Sequence, residues 1–215
     1  MSVFKANKQQ LMEIINISTF VLLCFVVLNA CKQDAPDAKS SKDNHTWKLI
    51  CIGDGATVGV GLNPDFAYPA LLEKEYLQEG NNVVKVVNAG IKGETIQGID
   101  QRIEWILQQQ FDAILLSLRS EELTGKSFLF WENCLKKIKS TNPEASILVG
   151  IVSQTQTIAE LKSYFSPLKM DYAIELIDLQ LSENSPTWWQ TDKLYPSKKG
   201  QQELADRLFK YLKNK

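Results

Sequence analysis

The chain has 215 residues, with 24 Lys and Arg against 25 Asp and Glu, a formal net charge of -1. That length suits one globular domain with a real core once a targeting segment is removed. Because acidic and basic side chains nearly cancel, no broad basic face is available to collect phosphates, which argues against nucleic acid as a partner.

The first thirty residues differ from the rest. Lys5 and Lys8 precede the apolar stretch "FVLLCFVVL" from Phe20 to Leu28, the pattern of a secretory signal. A membrane-spanning helix needs about 20 apolar residues, and upstream of Phe20 the run is broken by Asn16, Ser18 and Thr19. The segment "LNAC", Leu28 to Cys31, then resembles the lipobox of bacterial lipoproteins, with Asn29 where a small residue is usual. The resemblance implies a lipoprotein signal over 1–31, lipid modification of Cys31, and an extracytoplasmic place in a bacterial cell envelope, anchored to the membrane. Several acyl chains on one Cys anchor stably, whereas one chain does not. An ordinary cleaved signal with an incidental Cys is the other reading.

Residues 32–47, "KQDAPDAKSSKDNHTW", are polar and poor in apolar groups until Trp47, so they read as a flexible tether. Of four cysteines, Cys24 lies in the signal and Cys31 at the lipid site. Cys51 and Cys134 remain, in a predicted strand and a predicted helix. A disulfide between them is possible but not required, and no metal-ligand spacing appears.

From Lys48 to Lys215 short apolar runs alternate with helical periodicity. Strands are predicted at "KLICI", "VVKVVN", "AILLSL", "SILVGIV" and "AIELI". Ile96, Ile99, Ile103, Ile106 and Leu107 make one helix face, and Phe128, Trp131, Leu135 and Ile138 another. Leu204, Leu208 and Leu212 repeat the pattern near the end, with Ser197 placed to cap that helix. Runs as apolar as "AILLSL" are covered on both faces, so the expectation is an α/β fold: a doubly wound sheet of about five parallel strands and about five helices. In such sheets ligands sit outside the carboxyl ends of the strands.

The segments after the strands are therefore the candidate site. "GDGATVGVG" follows the first, "NAGIKGET" the second and "RSEEL" the third, and "TDKLYP" precedes the last helix. A dinucleotide cradle would need a helix opening at the third glycine. Pro64 and Pro69 delay the helix, and no acidic residue ends the second strand.

In this order and spacing the four segments resemble the SGNH or GDSL hydrolase family, over nearly all of Lys48 to Lys215. "GDGATVGVGL" followed by "FAYPALL" is similar to the opening of small bacterial esterases and lysophospholipases of that family, and "NAGIKGET" to its second block. The resemblance implies a three-layer, flavodoxin-like fold and an oxyanion site to which Gly93 donates its backbone N–H. It also exposes departures. Gly55 stands where the family has its nucleophilic serine. "RSEE" puts Glu121 at the place of the oxyanion-binding asparagine, and "DKLY" keeps Asp192 but has Tyr195 in place of the base histidine.

These departures differ in kind. Glycine has no atom with which to attack. A tyrosine, with a reference pKa near 10, is a poor base at neutral pH. A carboxylate about 4 Å from a developing oxyanion costs up to about 4 kcal/mol at an effective dielectric of 20. The single histidine, His45, lies in the predicted tether, with nothing in the sequence to position it as a base. Ser120 and Ser197 lie near the predicted rim but not in the turn after the first strand, and Cys51 should point into the core.

An acidic cluster remains, in which Asp54, Glu121, Glu122 and Asp192 are expected to converge, either as a rim satisfied by Arg119 and lysines or as a cation or amine site. In "SPTWWQ" one of Trp188 and Trp189 is expected in the core, and the other packed or exposed as a stacking platform for sugar or lipid. The candidate ligand-binding residues are therefore Asp54, Gly55, Gly93, Glu121, Glu122, Trp188, Trp189, Asp192 and Tyr195, with no metal and no cofactor. Three functions fit: a lipid-anchored binding protein for a small ester, lipid or glycan that has lost hydrolysis; an esterase or deacylase with a non-standard nucleophile; and a structural envelope lipoprotein.

Overall fold

The computed structural model describes residues 45–214 apart from Asn82 and residues 183–184. The signal segment, Cys31 and most of the tether lie outside the described residues. The sheet has five strands: β1 (Trp47–Gly53), β2 (Val84–Gly90), β3 (Ala113–Arg119), β4 (Ser146–Val152) and β5 (Glu175–Ile177). All pair in parallel in the order β2-β1-β3-β4-β5. The fifth predicted strand is shorter than "AIELI", because Ala173 is the left-handed C-cap of the preceding helix, at φ 50°.

Six α-helices and three short 3-10 turns complete the described elements: α1 (Gly55–Val58), α2 (Tyr68–Gln78), α3 (Ile96–Ile106), α4 (Phe128–Thr141), α5 (Ile158–Tyr172) and α6 (Lys198–Lys213). Strand alternation sends side chains to opposite faces, and the two cores follow from it. Ile50, Ile52, Ile114 and Leu116 meet Ile99, Ile103, Trp131, Leu135 and Phe165 on one face. Leu49, Cys51, Leu115 and Leu148 meet Tyr68, Leu72, Leu204 and Leu208 on the other. The predicted helix faces are therefore core faces, although Ile106, Phe128 and Leu212 are only half-buried. Cys51 and Cys134 are free thiols, buried in different cores.

Helix starts follow capping chemistry. Ser197 Oγ accepts from Gly200 N at 3.3 Å, Thr95 Oγ1 accepts from Gly98 N at 3.1 Å, and Thr157 with Glu160 forms a capping box. The opening loop differs from expectation. A single turn, α1, starts directly after β1, N-capped by the Asp54 side chain, and Gly59, at φ 77°, ends it. The third glycine thus closes a helix rather than opening one, so the loop lacks the geometry of a phosphate cradle. The long helix waits until Tyr68, with Pro69 in its first turn.

The folded unit begins earlier than position 48. Trp47 pairs with Val84 and is half-buried against the second core. His45, expected to be an unpositioned tether residue, has a partner: its Nε2 lies 2.7 Å from Asp112 Oδ1. Asp112 immediately precedes β3, so this pair sits at the amino end of the sheet, opposite the end where the candidate site forms.

At the α2–α6 contact, Gln202 Nε2 donates to Glu75 Oε1 at 2.8 Å and to Asp206 Oδ1 at 2.7 Å. Burial first, and then neighbouring Asp206, push the Glu75 carboxyl up to about 7. The folded state therefore holds this proton more tightly than the unfolded chain. The stability it brings is complete below about pH 4.5 and is lost as pH rises towards 7. The thermal midpoint, followed by circular dichroism, is expected to fall across that window and to lose most of this dependence in Glu75→Gln.

Candidate functional site

The carboxyl ends of β1, β3 and β4 and the loop before α6 surround a cleft of about 220 Å³, lined in part by Ala56, Arg119, Ser120, Glu121, Ser153 and Trp189. Ala56, which lines it, belongs to the turn that begins at Asp54 and Gly55. Asp54 is almost fully buried; its Oδ1 accepts from Ala56 N at 3.0 Å and its Oδ2 from Arg119 Nε at 2.8 Å. Burial holds the Asp54 carboxyl above the usual carboxylate range, opposed by the Ala56 N–H and the Arg119 charge. An ion pair this deep is worth little as a source of net stability, but removing one partner strands the other.

Gly55 is buried, and the reason for a glycine is steric. A Cβ added there would overlap Tyr195 Cε1 and lie 2.8 Å from Cζ and 2.9 Å from Cδ1 of the same ring. Tyr195 is itself 9% exposed, with the Arg119 guanidinium 5.8 Å from its ring centroid. The aromatic ring thus fills the space into which a side chain at position 55 would project.

The loop carrying Tyr195 is held from both ends. Gln190 N donates to Tyr195 O at 2.9 Å, and Trp189 pairs with Pro196 in an antiparallel bridge. The Gln190 amide donates to Val60 O at 2.6 Å and Pro196 O at 3.1 Å, tying the loop to the opening turn. Behind them Gln201, fully buried in α6, donates to Ala56 O at 2.9 Å and accepts from Tyr68 N at 2.8 Å. Neither glutamine stood out in the sequence, because each acts across a fold-dependent contact.

The four acidic residues converge only in part: the Glu121 charge acts on Asp54 and on Arg119, whereas Glu122 and Asp192 have partners elsewhere. Glu121 is exposed and lines the cleft. Glu122 turns to the start of α3, where its Oε2 accepts from Ile96 N at 2.9 Å, a favourable position for a carboxylate at a helix N-terminus. Asp192 is exposed and accepts from Leu194 N at 2.9 Å within its own loop. Among the described residues no three of His, Cys, Asp and Glu come together to hold a metal ion.

The tryptophans also divide. Trp189 is buried, donates to Leu181 O at 3.1 Å and forms part of the cleft wall. Trp188 is half-buried on the second core, with the Arg207 guanidinium 5.8 Å from its ring. Neither is an exposed platform. Gly93 has the left-handed φ of 76° that favours glycine, with open space where a Cβ would stand.

Among the described residues, neither Cys51 nor Ser153 is paired with a base. Burial raises the Cys51 thiol far above its ordinary pKa, so it stays protonated. Ser153 Oγ accepts from Thr155 N at 3.1 Å and Gln156 N at 2.8 Å, capping a turn. The single histidine lies at the other end of the sheet, on Asp112.

No protein-family model matches the chain. Over 176 residues it is 27% identical to thioesterase 1/protease 1/lysophospholipase L1 of Escherichia coli strain K12, covering 76% of this chain and 82% of that protein. Among solved structures, the psychrotrophic esterase EstA from Pseudoalteromonas sp. aligns with a TM-score of 0.66 at 23% identity, covering 78% of this chain and 97% of that one. A putative lipolytic protein of the G-D-S-L family from Desulfitobacterium hafniense aligns with a TM-score of 0.61 at 19% identity, covering 76% and 98%.

The packing of Tyr195 on Gly55 makes a measurable prediction. Gly55→Ser should cost about 1–3 kcal/mol in urea unfolding, because the added atoms overfill a packed space. In a Tyr195→Ala background the same substitution should cost much less, giving a coupling energy of about 1 kcal/mol or more. Additive costs would mean that the two residues do not share the space.

Proposed function

We propose that the chain is a lipid-anchored member of the SGNH/GDSL hydrolase family, which its sequence and fold resemble, and that it has kept the cleft for ligand binding and lost hydrolysis. The observation that carries this reading is the Tyr195 ring, which fills the space beside Gly55 where a nucleophile's side chain would stand. A family enzyme must attack, hold the oxyanion and move a proton. At the matching positions this chain offers a hydrogen, a carboxylate and a phenol. Removing one oxyanion donor alone typically costs about 100- to 1000-fold in rate, and here a carboxylate replaces it.

What the cleft can still do is bind. Arg119, Glu121, Lys193, Ser120, Gln154 and the edge of Trp189 present charge, hydroxyl, amide and one apolar surface in a small concavity. That lining favours a small polar ligand or the polar end of a larger one, in keeping with an ester, lipid headgroup or glycan. Asp54, Gly55 and Tyr195 lie next to the lining residues Ala56, Arg119 and Leu194 and support them, with Gly93 and Asp192 assigned by the resemblance to the margins. Glu122 and Trp188 serve packing and capping instead.

The purified protein should hydrolyse neither short-chain aryl esters nor acyl thioesters above the buffer rate. Turnover that survives Tyr195→Phe but is abolished by a serine-directed covalent probe would overturn the reading in favour of an esterase with another nucleophile.

Anchoring through Cys31 is read from the "LNAC" segment. In a bacterial host, labelled fatty acid should enter the wild-type chain and co-fractionate with membranes. Cys31→Ser should lose the label and move to the soluble fraction; a labelled Cys31→Ser protein would refute the assignment.

A further inference from the structure

Away from the cleft, a free edge of the sheet carries a second concavity. β2 is one of the two edge strands, and between it and the C-terminal half of α3 lies a groove of about 410 Å³. Val87, Ile106 and Phe111 give it apolar surface, and the exposed side chains of Gln108, Gln109 and Trp105 line it as well. Trp105 is the unusual member. It is 73% exposed, whereas the other four tryptophans are buried or half-buried. An indole left in water beside a concavity is a surface that gains by being covered.

Two further observations narrow what could cover it. The groove's one charged lining residue, Arg102, is already neutralised: its Nε donates to Glu94 Oε2 at 2.6 Å and its Nη2 to Ala89 O at 2.9 Å. A charged ligand would find no free counter-charge there. The strand edge is also blocked to an added peptide strand. Val86 N donates to Glu73 Oε2 at 2.8 Å, and Gly90 N to Asn88 Oδ1 at 3.0 Å. Strand addition depends on such N–H groups being available.

A flat aromatic face, primary amides beside it and no free charge match a neutral polyhydroxylated ligand. One face of a pyranose ring presents C–H groups to the negative face of an indole, while its rim hydroxyls need amide partners. We propose that this groove binds a neutral linear glycan, with one sugar stacked on Trp105 and its hydroxyls bonded by Gln108 and Gln109. The groove also reaches Gly90 and Ile91, at the carboxyl end of β2. Trp105 lies roughly 14 Å along α3 from Ile96, at 1.5 Å per residue, so a chain several sugars long can follow the sheet edge towards the cleft end. The site does not depend on whether the cleft hydrolyses.

The full-length protein is titrated with manno-, xylo-, cello- and chito-hexasaccharides, followed by intrinsic tryptophan fluorescence and calorimetry. At least one should bind and shift the emission. Trp105→Ala should weaken that binding about tenfold or more without moving the thermal midpoint, since the side chain is exposed, and Trp105→Phe should retain part of it. If no member of the panel binds, the proposal fails. It fails equally if Trp105→Ala binds as the wild type does, or if binding is lost only on Tyr195→Ala, which would assign the sugar to the cleft.

Discussion

One volume beside the first strand can hold a side chain at position 55 or the ring at position 195, but not both. In this protein the ring has it. Much of the surrounding structure serves to keep it there: Gln190 clamps the loop to the opening turn, Gln201 staples that turn to α2 and α6, and Arg119 spans Asp54 and the tyrosine face. Because packed interiors tolerate little extra volume, a larger side chain at position 55 requires the ring to move.

The electrostatics agree with that packing. Carboxylates held close together repel one another. The fold disperses them: Asp54 to Arg119, Glu122 to the start of α3 and Asp192 to its own turn, leaving Glu121 facing the cleft. A rim arranged this way offers a bound molecule mixed hydrogen-bonding groups and the Arg119 guanidinium, not a concentrated negative field.

The sheet, the helix faces and the Ser197 cap were legible in the sequence because each depends on neighbours a few residues away: buried runs in β3 and β4, 3.6-residue periodicity in α3 and α4, a hydroxyl one residue before a helix. The departures from the family pattern at Gly55, Glu121 and Tyr195 can be seen in the sequence because they fall inside blocks whose order and spacing resemble the family's. What could not be read were long-range partners. Gln201 meets Tyr68 and Ala56 across 133 and 145 residues, His45 finds Asp112 across 67, and Glu122 turns towards Ile96. Both adjacent tryptophans pack on the second core, Trp189 buried and Trp188 half-buried, a contact with distant elements that the sequence does not show. The most exposed tryptophan is Trp105, which in sequence is only a break in an otherwise regular helix face.

Contact between Tyr195 and Gly55 is the claim on which the proposed loss of hydrolysis rests, and nuclear Overhauser spectroscopy measures it directly in solution. The account predicts strong cross-peaks from the Gly55 Hα protons to the Hδ and Hε ring protons of Tyr195. Their absence, with the Tyr195 ring showing cross-peaks only to its own loop, would mean that the space beside Gly55 is open and would contradict the account.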